Sequence, residues 1–395
     1  MAIETASLRD PPAPLRGARG AFRLDSEFVF LNHGSFGAVP RAVEAEASRW
    51  RDRLEARPIE MVGRAIHGLL GEVRESVGCA LGCAPERVGL VTNATTGIGA
   101  VLNSIEWRRG DRILVTNHGY NAVRQAVQRV GERWGTQCVV ADLPLPLMDA
   151  SQVVEAVLRR VDAQTRLVIV DHITSPTALV FPVKEIAAEC RARGVLCLVD
   201  GAHAPGMLPL AIDDIGADWY TGNMHKWMCA PKGSGILVAS EECARFTHPE
   251  TISHFHGSGF VEEFGWQGTR DYANWLAIPA AINFMAGFGP GAAMAHNRAL
   301  ANWAHGLLAR AFRVKTISPL DGSLLGSMAT IPLPESLHAK FTTAAAFQAR
   351  LYDTHKIEIP VIDFGGTLHS RVSAQVHNAS TDYLALEAAV LAEVG

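Results

Sequence analysis

Residues 196–206 read Leu-Cys-Leu-Val-Asp-Gly-Ala-His-Ala-Pro-Gly, an apolar run of strand length that ends in an acid and a turn. Similar runs recur from about residue 88, and longer amphipathic stretches separate them. This alternation predicts parallel strands joined by right-handed crossovers, with helices on both faces of the sheet. The central part of the chain is therefore expected to be an α/β domain. The predicted strands are 88–92, 112–116, 137–141, 167–171, 196–200 and 235–239.

The pattern changes after about residue 285. A helix is predicted over 294–311, two or three short strands over 315–332, a helix over 342–355 and a last helix from Thr381. This indicates a smaller α+β domain, 286–395, after a large domain, 28–285. Residues 1–27, where arginines stand among prolines and glycines, are predicted to form a flexible arm. Segment 28–40 could pack with either domain.

Composition excludes several classes of protein. With 48% hydrophobic and 19% charged residues, the 395-residue chain resembles a folded globular protein. Its net charge of −4 gives no field to attract nucleic acid or a membrane surface, and no apolar run reaches the roughly 18 residues of a membrane span. The seven scattered cysteines are typical of reduced thiols in a cytoplasmic protein, and Cys79 and Cys83 lack a second zinc-finger pair. No metal site is expected.

Two of the predicted strands end in an acid, Asp171 and Asp200. In open α/β sheets the carboxyl ends of the strands line the ligand crevice, so both acids are site candidates from topology alone. The alternative for each is an aspartate that caps the following turn.

Lys226 is the lysine whose setting suggests chemistry, since it follows a strand-like run and stands between Met224 and Trp227. Apolar neighbours would desolvate the amine, lower its pKa and favour the neutral nucleophile that forms an imine. Taken alone, a surface lysine with a solvated amine is the favoured interpretation.

The turn 92–99, Thr-Asn-Ala-Thr-Thr-Gly-Ile-Gly, follows a strand and opens a helix. Backbone N–H groups of such a turn bind phosphate, and Ala94, Thr95 and Thr96 are the natural contacts. In this order, a phosphate turn, an acid at Asp200 and an amine at Lys226 fit pyridoxal phosphate (PLP). A carboxylate keeps its ring nitrogen protonated, and His203 could donate to the ring phenolate oxygen.

With these motifs the chain resembles the class V aminotransferase family of fold-type I PLP enzymes, from about Phe28 to the C-terminal helix. Within that family it resembles the branch that contains isopenicillin N epimerase. The segments that carry this second likeness are 31–37 (Leu-Asn-His-Gly-Ser-Phe-Gly), 93–97 (Asn-Ala-Thr-Thr-Gly), 171–177 (Asp-His-Ile-Thr-Ser-Pro-Thr) and 222–227 (Gly-Asn-Met-His-Lys-Trp).

The resemblance implies further contacts to the cofactor. His225 is expected at the phosphate, and a residue of 118–121 on the ring face, with Tyr120 preferred to His118 because an aromatic side chain stacks on a flat ring. Many class V members carry an asparagine that reaches the ring oxygen. Here the matching stretch, 174–177, offers Ser175 or Thr177 instead.

The resemblance also implies a substrate site and a dimer. Arg371 matches the arginine that binds the substrate carboxylate, and the segment with Asn32 and His33 is expected to contact the substrate. The family pattern sends the turn with Thr269 into the phosphate site of a neighbouring subunit. We therefore expect a homodimer with composite active sites and a small amino-acid-like substrate.

Three reactions at the α-carbon fit this site, and an epimerase-like reaction is preferred. It needs a second acid near the α-carbon, for which His33, Tyr120 and His254 are candidates by residue type. A C–S lyase that eliminates a β-substituent and an aminotransferase are the alternatives. A cysteine desulfurase is disfavoured because residues 357–371 contain no cysteine. A protein that binds ligand without turnover is also disfavoured, because the chain keeps both Lys226 and Asp200.

Overall fold

A seven-stranded sheet forms the centre of the molecule, for which the computed structural model describes residues 10–394. Its strand order is β2-β8-β7-β6-β5-β3-β4; β8 is antiparallel to both neighbours and the other four pairs are parallel. The strands of the chain are β1 (Val29–Phe30), β2 (Val88–Val91), β3 (Arg112–Thr116), β4 (Gln137–Ala141), β5 (Thr165–Asp171), β6 (Leu196–Gly201), β7 (Trp219–Asn223), β8 (Gly235–Ala239), β9 (Met328–Pro332), β10 (Ile357–Glu358), β11 (Val361–Phe364) and β12 (Thr367–Ser373).

Helices occupy most of the intervals between the strands. None of those within residues 10–394 is long and apolar enough to cross a bilayer. The α-helices are His33–Phe36, Arg41–Ala56, Pro58–Glu60, Ile66–Leu81, Ala94–Ser104, Asn121–Trp134, Ser151–Leu158, Val183–Ala192, Ile212–Ile215, Glu241–Ala244, Phe260–Gly265, Ala273–Leu276, Ile278–Ala286, Ala292–Phe312, Glu335–Lys340, Ala344–His355 and Ser380–Val394; Arg19–Ala21 and Pro85–Arg87 are 3₁₀ and Met61–Ala65 is π-helical.

Both faces of the central sheet are buried, as its continuous apolar strands predict. Side chains alternate between two apolar clusters: Leu198 belongs to one, whereas Cys197 and Val199 belong to the other. The α/β architecture and the mainly parallel sheet are therefore confirmed.

One strand runs against the expected direction. β8 is antiparallel to β7 because the intervening residues 224–234 contain no helix, and a parallel return needs a longer crossover. This short connection holds Lys226, so it keeps the residue at the end of β7.

The C-terminal part folds on a three-stranded antiparallel sheet, in the order β11-β12-β9. The helix predicted over 294–311 is Ala292–Phe312, and the last helix begins at Ser380 rather than Thr381. The prediction of two or three strands over 315–332 is wrong, because only β9 forms there. Pro319 and Gly322 favour turns over a ladder in the first part of that segment.

The N-terminal segment is placed differently from the prediction. β1 pairs in parallel with β10, and Leu31 lies in the apolar cluster of the C-terminal domain, so the start of 28–285 belongs with the smaller domain. The prediction of a flexible arm over 1–27 is contradicted where Ala18 and Phe22 are buried in the large core, and residues 1–9 lie outside the described residues. Apolar burial of these two side chains anchors the segment.

Candidate active site

A cavity of about 660 Å³ opens where β5 and β6 end. Asp171 and Asp200 line it from these strands, Lys226 from the turn after β7, and Tyr120 from the segment after β3. Its volume is typical of a small-molecule site. The strand ends that the sequence singled out therefore meet at one place.

Lys226 presents an amine that is largely removed from water. Burial, and secondly the charge of Arg371, lower its pKa from 10.5 to about 7, while Asp200 acts in the opposite direction. A large fraction of the amine is therefore neutral at pH 7 and can act as a nucleophile. The Nζ atom lies 3.2 Å from Nε2 of His203.

Trp227 determines which nitrogen of His203 carries the hydrogen. The indole N–H donates to Nδ1 of His203 at 3.3 Å, so Nδ1 is the unprotonated nitrogen. Burial, followed by the charges of Lys226 and Arg371, lowers the pKa of His203 well below its ordinary value, so the ring is neutral. A neutral ring of this tautomer donates from Nε2, the atom that faces Lys226. His203 is therefore a hydrogen-bond donor beside the reactive amine.

Two buried carboxylates lie side by side on β5 and β6, where Asp171 is in register with Asp200. Burial raises the pKa of both, and the charge of Asp200 raises that of Asp171 further. The N–H of Ala202, 2.9 Å from Oδ1 of Asp200, and the amine of Lys226 oppose the rise for Asp200. Asp200 is thus the more readily ionised of the pair and would hold a protonated ring nitrogen. Sequence reasoning noted Asp171 only as a strand-end acid.

The helix Ala94–Ser104 begins at the cavity and offers backbone N–H donors. Two of these are already used: Ala94 donates to Oδ1 of Asn223 at 2.8 Å, and Thr96 to Oδ1 of the N-cap residue Asn93 at 3.0 Å. Thr95 is exposed in the cavity, which makes its N–H and hydroxyl the groups best placed for an anion. Sequence reasoning missed Asn223, the residue at the end of β7 that holds this helix in place.

His225 lines the cavity with its ring held by the backbone. Its Nδ1 lies 3.1 Å from the carbonyl oxygen of Ser234 and donates to it. Burial lowers the pKa of His225 to about 4, although the bond to Ser234 opposes this. A phosphate would favour the protonated ring, because both nitrogens could then donate. Its contact with a phosphate stays a prediction.

The choice between Tyr120 and His118 follows from burial. Tyr120 is 48% exposed and lines the cavity, whereas His118 is fully buried. Nδ1 of His118 lies 2.7 Å from the hydroxyl of Thr177, and its ring packs at 4.8 Å against Phe364. His118 and Thr177 are not among the residues that line the cavity, and their contact with the cofactor stays a prediction. Tyr120 is the available stacking residue, and Ser175 lines the cavity in place of Thr177.

Arg371 extends from β12 towards the same cavity. Its guanidinium donates to the backbone oxygen of Ser175 at 2.7 Å, to the hydroxyl of Ser175 at 3.1 Å and to that of Ser35 at 3.1 Å. Its Nε has no partner, and among residues 10–394 no carboxylate forms an ion pair with it. Burial lowers the pKa of Arg371 to about 10, which leaves it charged at neutral pH. A buried cation with neutral partners favours an anionic ligand such as a substrate carboxylate.

Residues 33–37 form a connecting segment between Arg371 and Lys226. The N–H of Gly34 donates to the hydroxyl of Ser373 on β12 at 3.1 Å. A Cβ at Gly37, whose φ is 73°, would lie 2.1 Å from the carbonyl oxygen of His225. Only glycine permits this approach.

The two substrate contacts expected within this region are not in the cavity. His33 is fully buried, with Nδ1 3.2 Å from Nε2 of His377 and Nε2 3.1 Å from the carbonyl oxygen of Lys226. Asn32 donates to Glu358 at 2.8 Å and accepts from Ser35 at 2.5 Å. Both residues lie outside the lining of the cavity, and their direct contact with substrate stays a prediction.

Thr269 and His254 are exposed and lie outside the lining of the cavity. His254 is therefore not placed to act at the α-carbon in this chain. The role expected of Thr269, in the site of a neighbouring subunit, stays a prediction.

Comparison with known proteins identifies the architecture. The model of the family "Aminotransferase class-V" matches residues 40–347. The chain belongs to the class V aminotransferase family. Its members are PLP enzymes of fold type I, so the sequence-based predictions of this fold, of an enzyme and of this cofactor are confirmed.

Relatives of this class V enzyme differ in their reactions. Isopenicillin N epimerase of Streptomyces clavuligerus is 33% identical over 381 residues, which cover 92% of this chain and 94% of the epimerase. Putative L-cysteine desulfhydrase 1 of Oryza sativa subsp. japonica is 31% identical over 396 residues, which cover 91% of this chain and 82% of the desulfhydrase.

Solved structures share the fold at lower identity. The cystine C–S lyase C-DES, in complex with its reaction product cysteine persulfide, aligns with a TM-score of 0.78 and 20% identity over 92% of this chain and 97% of the lyase. A cysteine desulfurase from Thermococcus onnurineus NA1 aligns with a TM-score of 0.80 and 17% identity over 98% of this chain and 99% of the desulfurase. These likenesses concern architecture alone.

The donor set of the cavity fits PLP in charge and in hydrogen-bonding capacity. Thr95 offers donors for a phosphate, Asp200 an acceptor for a protonated ring nitrogen, His203 a donor for the phenolate oxygen and Lys226 a neutral amine for the aldehyde. The exposed ring of Tyr120 adds an aromatic surface.

The pKa of Lys226 predicts how the capture of PLP by the cofactor-free protein depends on pH. Only the neutral amine reacts, so the rate rises with pH through a midpoint near 7 and then levels off. Arg371 lowers the pKa of Lys226, so Arg371→Met moves the midpoint to higher pH; Asp200 raises it, so Asp200→Asn moves the midpoint lower. Stopped-flow absorbance across pH 5–10 measures all three proteins. Midpoints that move in the same direction in both variants would contradict the electrostatic assignment.

Proposed function

We propose that this class V enzyme is an epimerase that inverts the α-carbon of an amino-acid substrate. The observation that carries the proposal is the placement of two proton carriers, Lys226 and Tyr120, on one cavity. Lys226 follows β7 and Tyr120 follows β3, and the sheet order places β6 and β5 between those strands. The two side chains thus approach Asp171 and Asp200 from opposite sides.

Both proton carriers lie on the cavity that Arg371 approaches. Lys226, Tyr120 and Ser175 line the cavity, and the guanidinium of Arg371 donates to Ser175. A substrate whose carboxylate is bound by Arg371 would therefore have its α-carbon between the amine and the phenol. This is the arrangement that inversion requires, since one face must lose a proton and the other must gain one.

Each reactive residue of the cavity then has a defined role in the reaction. PLP, when bound through the substrate amine, withdraws electrons from the α-carbon and makes its proton acidic. Lys226 removes that proton as a neutral amine, and the hydroxyl of Tyr120 delivers a proton to the other face. Asp200 would balance the positive charge of the ring nitrogen, and His203 would donate to the ring oxygen. Solvent then reprotonates Tyr120 and accepts the proton held by Lys226, so the proton count balances.

A C–S lyase is the second candidate, because putative L-cysteine desulfhydrase 1 of Oryza sativa matches 91% of this chain at 31% identity. Elimination needs the same amine at Lys226 but no proton delivery by Tyr120. Incubation of L-amino acids and cysteine conjugates in heavy water distinguishes the two. Deuterium at the α-carbon together with the opposite enantiomer supports the epimerase; pyruvate with a released thiol would replace it with the lyase.

Tyr120→Phe distinguishes the proton transfers on the two faces of the α-carbon. We expect inversion to fall by about 100-fold or more, because the phenylalanine cannot deliver a proton. Exchange of the α-proton with retention should fall by less than about tenfold, since Lys226 alone performs it. Chiral chromatography coupled to mass spectrometry measures both rates in heavy water.

Tyr352→Phe is the matched control, because Tyr352 is similarly exposed and packs at 4.7 Å on Phe28 in the smaller domain. It should change neither rate. Equal losses of inversion and exchange in Tyr120→Phe would contradict the role of Tyr120 as the proton donor on the second face of the α-carbon.

We also propose a homodimer in which Thr269 reaches the phosphate site of the partner. Its exposed position outside the cavity of its own chain supports this arrangement. Analytical ultracentrifugation of the enzyme with PLP tests it, and a monomer at micromolar concentration would overturn it.

A further inference from the structure

A second cluster of reactive side chains lies in the loop after β8 and the helix that follows it. His248, His256 and Glu263 each direct one ligand atom to a common point, and these three atoms lie within 4.8 Å of one another. Nδ1 of His248 is 2.8 Å and Nδ1 of His256 is 3.4 Å from Oε2 of Glu263. The ligands stand 8 and 7 residues apart, a spacing that matches no metal-binding motif, and the sequence therefore gave no reason to expect a site.

The carboxylate of Glu263 is buried, and its partners are two imidazoles and one backbone N–H. Oε1 accepts from the N–H of Gly257 at 3.0 Å. Within residues 10–394 the ion pairs of Glu263 are with His248 and His256. The Glu263 side chain is only 5% exposed. A buried anion between two imidazoles favours a cation.

We propose that His248, His256 and Glu263 bind one divalent transition-metal ion, of which zinc is the best match. Two imidazole nitrogens and a carboxylate oxygen are a ligand set that zinc uses. At metal–ligand distances of about 2.0–2.2 Å, tetrahedral ligand atoms stand roughly 3.3–3.6 Å apart. The separation of 3.4 Å lies within this range, and the separation of 2.8 Å must widen by about 0.5 Å to admit the ion. The inference is independent of the proposed epimerase function.

The remaining features of the cluster suit such an ion. Oε1 of Glu263 already accepts from the N–H of Gly257 at 3.0 Å, which leaves Oε2 as the single ligand oxygen. The side chains of His248 and His256 are 36% and 57% exposed, so the ion has access from solvent and water can complete its coordination. A neutral imidazole can carry its hydrogen on Nε2, which frees Nδ1 for the metal.

The position of the cluster gives the ion a structural task. The N–H of His248 donates to the hydroxyl of Ser104 at 2.8 Å, which fastens the loop to the last residue of helix Ala94–Ser104. The cavity lies at the other end of this helix, about 15 Å away at 1.5 Å per residue. A bound ion would therefore join the loop to helix Phe260–Gly265 without contact with the cofactor.

Calorimetry and thermal unfolding of the PLP-loaded protein, without affinity tag and after dialysis against a chelator, test the proposal. Wild type should bind one zinc ion per chain, and zinc should raise its melting temperature by mass action. His256→Ala should weaken binding by about 100-fold or more, since loss of even an outer partner costs 10–100-fold. Without zinc this variant should melt as wild type does, because His256 is largely exposed.

His254→Ala is the matched control, since His254 is an exposed histidine of the same loop but not one of the three ligands. It should bind zinc as wild type does. No stoichiometric uptake by wild type, unchanged affinity in His256→Ala, or an equal loss in His254→Ala would each overturn the site.

Discussion

Lys226→Ala is expected to lose the visible absorbance of covalently bound PLP and to lower kcat/KM by at least about 10⁴-fold, the upper range for one acid–base group. The physical reason is that one atom has two tasks. Nζ of Lys226 is the desolvated amine of the cavity, with a pKa of about 7, and on the proposed function it also removes the α-proton. No water can replace it efficiently, because the atom is buried beside His203.

The matched control is Lys232→Ala. Lys232 lines the same cavity, but its Nζ donates to the carbonyl oxygen of Gly37 at 3.2 Å. The absorbance spectrum of this variant with PLP should keep the visible band. If Lys226→Ala kept the band and Lys232→Ala lost it, the amine that holds the cofactor would be Lys232.

Asp200→Asn has the second largest expected effect, a fall in kcat/KM of about 10³-fold, or about 4 kcal/mol of transition-state stabilisation. An amide has nearly the same shape as the carboxylate but cannot balance a positive charge on the ring nitrogen. Without that charge the ring accepts electrons from the α-carbon less readily. The effect is measured by steady-state kinetics with the substrate that the heavy-water assay identifies.

Asp171→Asn is the control for this prediction, because Asp171 is the register partner of Asp200 and is buried to a similar degree. Burial and the charge of Asp200 raise the pKa of Asp171 well above its ordinary value, which favours the neutral form of this side chain over a carboxylate. Its replacement should change kcat/KM by less than about tenfold. A larger loss in Asp171→Asn than in Asp200→Asn would reverse the roles of the two acids.

Much of the fold could be predicted because its signals are local. The strands predicted over 112–116, 137–141 and 235–239 are the observed β3, β4 and β8. Each is an apolar run with a polar boundary, so the pattern that predicts the strand also ends it. The direction of β8 was not predictable in the same way, since it depends on the connection through 224–234 rather than on the strand itself.

The candidate site was predictable where topology brings strand ends together. Asp200 lies at the end of β6 and Lys226 in the turn after β7, its parallel neighbour, so their meeting needs only the sheet order. The burial of His33 was not predictable because its environment depends on His377, 344 residues away in the sequence. The hydrogen bonds of Asn223 and of Trp227 were missed for a related reason: each side chain acts through another residue, and a sequence pattern does not show which partner a polar group will meet.

The segment 33–37 connects the two domains and could therefore influence the ratio of inversion to elimination. Gly34 is fixed to β12 of the smaller domain, and Gly37 to the turn that carries Lys226. On the proposed function, one domain therefore holds the carboxylate of the substrate while the other works on its α-carbon. A small rotation between the domains would change which bond of the α-carbon aligns for cleavage. Replacements around Gly34, where a Cβ would lie 2.7 Å from Sδ of Met328, could then alter the ratio of inversion to elimination without changing a group that reacts.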